Sequence, residues 1–208
     1  EGIQPLQKVA TAGESGDLRL KALLSLSVMP TAWKSSEKIF VERLSDERDD
    51  IRQLAAKICY QVAAAKVFYT SAEPKLIELA EKDSIPQVRC NAVAALARMK
   101  SRLAVAAFIR ILGDAGTPDQ VAKQVLGACQ NLTGVPFRNK EGALTWWEKY
   151  GKAEYEKAKP LQKAAVEKTG PEIDSKQTAT APEDPKWPKL PDNKPTDMPF
   201  DGVMIPGQ

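Results

Sequence analysis

The chain has no histidine. That removes the side chain most often used as a general base at neutral pH, the commonest metal ligand, and any haem attachment of the Cys-x-x-Cys-His kind. Cysteine is almost as scarce. Cys59, Cys90 and Cys129 make an odd count with no paired spacing, which argues against a disulfide framework. There is no phosphate-cradling glycine loop, no nucleophile–base set and no zinc spacing. No stretch approaches the roughly 20 apolar residues that span a bilayer, and the best run, Leu103 to Leu112, is broken by Arg110. The expectation is a non-catalytic chain with no cofactor, no metal and no small-molecule substrate.

Charge narrows the partners. The formal net charge of +3 divides into 26 Lys+Arg against 20 Asp+Glu in residues 1–170, and 4 against 7 in residues 171–208. The body is basic, but less so than a typical nucleic-acid-binding domain, and its basic residues form no single row along the sequence. Nucleic acid is therefore not expected as a partner, although it stays as the alternative. The chain opens on Glu1. It is expected to be soluble and processed, trimmed or begun internally. Removal of a secretion signal is one such explanation, which keeps export open.

What the chain does have is a period. Leu18, Ile51, Val88 and Val121 are separated by 33, 37 and 33 residues. Four places on stand Ala22, Ala55, Ala92 and Val125, and eight places on stand Leu26, Cys59, Leu96 and Cys129. Each of these helices follows another apolar-periodic one: Ile3 to Ala12, Glu37 to Leu44, Pro74 to Ala80, and Leu103 to Leu112. Two helices recurring at this interval signal an α-solenoid, in which no single pair can bury its own apolar face. On this register Leu18, Leu23 and Leu26 face the core, and Cys59 and Cys129 are small core hydrophobes. Cys90 aligns with Leu20, Gln53 and Lys123, on the face away from the core.

Local signals mark the helix ends. Ser84 with Gln87, and Thr117 with Gln120, have capping-box spacing, and Ser35-Ser36 and Asn139 are further caps. Pro74 suits a first helical turn, and Gly134 suits a left-handed C-cap. The acidic run Asp46 to Asp50 lacks the alternating spacing and glycine of a calcium loop, and reads as negative charge at a helix N-terminus.

The middle repeats, with Ile51-Arg52 after Asp46 and Val88-Arg89 after Asp83, resemble the HEAT-repeat family, the arginine falling six residues after the aspartate. Gly13 replaces the aspartate in the first repeat, and Ala122 replaces the arginine in the fourth. The resemblance covers about residues 3–134. It implies a right-handed all-α solenoid of about four helix pairs, with Asp and Arg of neighbouring repeats pairing along the stack and the ladder weakened at both ends. The block from Leu132 to Gly151, with Trp146, Trp147 and Tyr150, resembles the closing segment of some bacterial HEAT-repeat proteins. The aromatic cluster is expected to lid the open end, with a ligand cage of the two tryptophans as the alternative.

These readings divide the chain into a repeat domain with its closing helix (1–151), an exposed helical linker (152–170) and an extended proline-rich tail (171–208). The tail holds eight prolines in 38 residues and cannot build a core of its own. Three surfaces are candidate binding sites. The first helix pair carries a second apolar stripe, Leu20, Leu24 and Val28. The polar face of the second helices presents Lys57, Ala94 and Gly127 in one row, with Gln61, Arg98 and Asn131 one turn on. That row makes a shallow trough, and the resemblance implies a concave surface for extended partners. The tail offers Trp187 and Phe200 as spaced anchors. The function expected is a scaffold or adaptor assembling protein subunits of a larger complex. The alternatives are a nucleic-acid-binding array and a lyase of the HEAT-like kind.

Overall fold

The computed structural model describes residues 2–160, and these contain helices and turns with no strand. Helix α1 (Ile3–Ala12) packs against α2 (Gly16–Ser27). A short helix, α3 (Pro30–Trp33), leads to α4 (Glu37–Arg43), which packs against α5 (Asp49–Ala64). Next come α6 (Glu73–Lys82) with α7 (Pro86–Arg98), and α8 (Leu103–Gly113) with α9 (Asp119–Thr133). The chain continues through α10 (Lys140–Trp146), a π-helical turn at Trp147–Gly151, and α11 (Lys152–Tyr155). The second helices stack in order, α2 on α5, α5 on α7 and α7 on α9, as an α-solenoid requires.

The aligned positions explain the stack. Ala22, Ala55, Ala92 and Val125 are buried, as are Leu26, Cys59, Leu96 and Cys129, all within one core running from Ala10 to Tyr155. Each well-buried aliphatic side chain adds about 1.5–3 kcal/mol, and most of that arises where one repeat meets the next. Small residues at the first set let neighbouring helices approach, and larger ones at the second fill the seam.

The first repeat departs from the register. Ile51, Val88 and Val121 are fully buried, but Leu18 is 52% exposed. Helix α2 has α5 after it and, among the described residues, no second helix before it to cover Leu18. Leu20, expected to face outward, is instead half-buried and packed against the core. Cys90, at the aligned position two repeats later, corrects the same expectation. It is only 7% exposed, because the start of α9 lies over it, with Sγ 4.0 Å from the Gln120 carbonyl oxygen.

The helix ends use aspartate rather than the expected capping boxes. Helix α7 begins at Pro86 after Ile85, and the Ser84 hydroxyl caps nothing. The Asp83 carboxylate accepts from the Ile85 backbone N–H at 2.9 Å instead. Asp46 accepts from Arg48 N–H at 3.1 Å and Asp114 from Gly116 N–H at 2.9 Å, so the same two-residue turn recurs in three repeats. Thr117 likewise turns away, donating to the Ile111 carbonyl at 2.9 Å, and Ser36 accepts from Gln7 instead of capping α4. Asn139, Pro74 and Gly134 take their expected places: Asn139 accepts from Gly142 N–H at 2.9 Å, Pro74 sits in the first turn of α6, and Gly134 has φ 72°.

The aspartates also form the rungs between repeats. Arg19 lies 3.4 Å from Asp46, and Arg52 donates to Asp83 at 2.7 Å. Arg19 and Arg52 each donate as well to the carbonyl six residues back, Gly13 and Asp46. Arg89 breaks the series, donating to the Ala80 carbonyl of its own repeat at 2.9 Å. The acidic run before α5 behaves as a helix-terminus feature: Asp49 and Asp50 lie in its first turn, and the Arg48 guanidinium holds the Asp50 carboxyl below its ordinary value.

Only residues 152–160 of the expected linker are described. Helix α11 ends at Tyr155, whose ring is buried, and residues 161–170 lie outside the described residues. So does the tail, with Trp187 and Phe200.

Candidate functional site

Small residues on the outer row of α7 and α9 leave space that large ones would fill. Ala94 and Gly127 stand where Lys57 stands in α5, and a Cβ added at Gly127 would meet no atom within 4 Å. The result is a groove of two hollows. One, of about 430 Å³, runs between α5, α7 and α9, and Arg98 and Asn131 line it. The other, of about 380 Å³, includes Lys57 and meets the first at Tyr60 and Ala94. Of the four long polar side chains read into the trough from the sequence, Lys57, Arg98 and Asn131 are brought to the groove. Gln61 is exposed but lines neither hollow.

The groove is cationic. Lys57, Lys66, Arg98, Lys100 and Lys123 line the two hollows, and no Asp or Glu does. Among the described residues none of the five forms an ion pair, whereas Arg19, Arg43, Arg48, Arg52, Arg102 and Arg110 all do. The expectation that basic residues form no row is thereby corrected. They are far apart in sequence, and helix stacking gathers them.

Two of those lysines share an unusual backbone. Lys66 has φ 65° and Lys100 φ 57°, the left-handed region in which a side chain crowds the following carbonyl. Each follows its helix by two residues in the same C-terminal motif, with Val67 N–H bonding the Val62 carbonyl at 2.9 Å and Ser101 N–H bonding Leu96 at 3.1 Å. After α9 the left-handed position falls one residue past the helix end and is held by Gly134. Sequence periodicity over the helices missed Lys66 and Lys100 because they lie beyond them. The available signal was a lysine two places past the end of both middle repeats.

The other candidates lie elsewhere. Leu24 is 47% and Val28 77% exposed, so the first-repeat stripe is partly solvent-facing, without Leu20. At the far end, α10 packs on α8 and α9, and α11 on α8. Trp146 is held between Phe137 and Tyr155, at ring-centre distances of 5.4 and 6.0 Å, and Arg102 lies 4.8 Å above Tyr155. Both ring pairs are tilted by 57°, as in a packed aromatic cluster. Trp147 is buried, while Tyr150 is exposed rather than part of the cluster.

A family model for HEAT repeats matches residues 37–128, from the start of α4 to within α9. Residues 37–128 carry HEAT repeats. The match spans the three repeats that keep the aspartate turn, and it excludes the first, where Gly13 stands instead. No curated protein matches the chain. HEAT repeats generally act as scaffolds for protein–protein interaction and are typically non-catalytic. Among the described residues, no helix is long and apolar enough to cross a membrane.

Proposed function

We propose that the chain is a HEAT-repeat adaptor that holds protein subunits of a larger complex in the groove along α5, α7 and α9. The observation carrying this is a groove lined by five cations and no carboxylate. Among the described residues none of the five forms an ion pair, and no hydrogen bond engages the side-chain amides of Gln124 or Asn131. Leu24 and Val28 on the first repeat, and the segment 171–208 with Trp187 and Phe200, are further docking elements in the same reading.

Binding of nucleic-acid phosphates is the second reading, favoured by the same five cations. Against it stands the sequence pI of about 8.7, below that of strongly basic nucleic-acid-binding domains.

The test is affinity capture with the full chain, followed by purification of the captured protein and titration against variants. Gly127→Glu puts bulk and negative charge into the groove without touching the core. Leu24→Asp marks the first repeat. A purified partner should lose affinity for at least one of them while circular dichroism stays unchanged. Equal affinity for wild type and both variants removes these docking elements.

A further inference from the structure

We propose that the groove takes an extended, acidic protein segment, with Lys66 and Lys100 as its principal charge contacts. This deepens the adaptor reading and rests on it. Three observations converge. The first is charge: five cations and no carboxylate line the two hollows, so an uncharged occupant would leave repelling cations pressed together in a partly dry site.

The second is backbone. At the C-terminal turn of α5 and again of α7, a lysine stands in the left-handed conformation that glycine adopts without crowding. Helix-dipole attraction favours a cation near a helix C-terminus, but it needs no residue at this one strained position. Retention of strain at two equivalent places, both opening onto one groove, points to a use for the two ammonium groups.

The third is hydrogen-bonding chemistry. The side-chain amides of Gln124 and Asn131 each offer a donor and an acceptor, the complement of a peptide unit. A phosphate backbone presents acceptors only, and would leave the amide carbonyls without partners. The hollows, about 430 and 380 Å³, share Tyr60 and Ala94 in their linings, an arrangement suited to a single extended strand. A duplex is far wider. Tyr60, 42% exposed where the hollows meet, gives an apolar residue of the segment a ring to rest on.

The experiment uses the full chain and three fluorescein-labelled probes of twelve units: a peptide of alternating Glu and Leu residues broken by proline, the same peptide with Gln for Glu, and oligothymidylate. Fluorescence anisotropy is read at 50 and 300 mM salt. Binding of the Glu peptide at least tenfold tighter than the Gln peptide, and weakened by salt, is the expected result. Lys66→Gly/Lys100→Gly should lose at least fivefold in Glu-peptide affinity, whereas Lys38→Gln/Lys140→Gln, the same charge loss outside the groove, should not. Equal loss in both double variants, or equal binding of the Glu and Gln peptides, overturns the proposal. So does tighter binding of oligothymidylate, which would assign the groove to single-stranded nucleic acid. If the peptides fail while a purified protein partner still depends on Gly127, the acidic-segment inference falls and the adaptor reading stands.

Discussion

Arg52 of the second repeat reaches Asp83 of the third with both Nε and Nη2, at 2.7 and 3.3 Å, while the same carboxylate accepts the Ile85 N–H that precedes α7. One side chain therefore fixes a helix end and joins two repeats. Its carboxylate is nearly enclosed, and Arg52 is largely so.

Asp83→Ala should destabilise the chain by about 3 kcal/mol, because it leaves a part-buried guanidinium unpaired and a turn N–H uncapped. Asp83→Asn keeps the acceptor for Ile85 and should cost less. Urea denaturation of both variants checks the order. Equal losses would show that the turn acceptor contributes little beyond the ion pair.

Leu24→Asp and Leu26→Asp separate surface from seam. Leu26 is fully buried, so a carboxylate there should unfold the first repeat, at a cost above about 4 kcal/mol. Leu24 is half-exposed, and the same change should shift stability by less than about 1 kcal/mol. Thermal melts followed at 222 nm distinguish them. Unfolding by the Leu24 change would place that stripe in the ordinary core.

Lys66→Gly and Lys100→Gly should each stabilise the fold by about 0.5–1 kcal/mol, since relief of the left-handed strain exceeds the entropy glycine adds to the unfolded chain. Few lysine-to-glycine changes raise stability. A fall in urea midpoint for both would mean that their side chains contribute to the fold itself.

The three cysteines should be silent toward iodoacetamide at pH 8 until denaturant is added. Burial pushes the Cys59 and Cys129 thiols up to about 12 and raises Cys90 as well. A raised thiol pKa favours the protonated, folded form, so this contribution is fully present below the unfolded value near 9. Stability should then fall as pH rises from about 9 toward 12, by about 1 kcal/mol per unit for each buried thiol. Urea midpoints at pH 8 and 10 test the slope, and Cys129→Ala should flatten it. Rapid alkylation of native protein at pH 8 would contradict the burial.

Much of the fold was legible because the repeat is written twice, in the apolar spacing of the second helices and in the aspartate six residues before arginine. Val88, Ala92 and Leu96 are buried for reasons that helical periodicity alone supplies. Leu18 and Cys90 were not legible. Alignment places a residue on a helix face, but whether a neighbour covers that face depends on position in the stack. The groove was half visible: the row of Lys57, Ala94 and Gly127 follows from helical spacing, and its electrostatic character does not.

The sequence by itself determined the helix pairs, their period and the seam that holds them, since each is a local pattern set by side-chain size and polarity. Tertiary structure decided which cations meet. Lys57, Lys66, Arg98, Lys100 and Lys123 come from three repeats, and only stacking turns their separate charges into one field facing one groove.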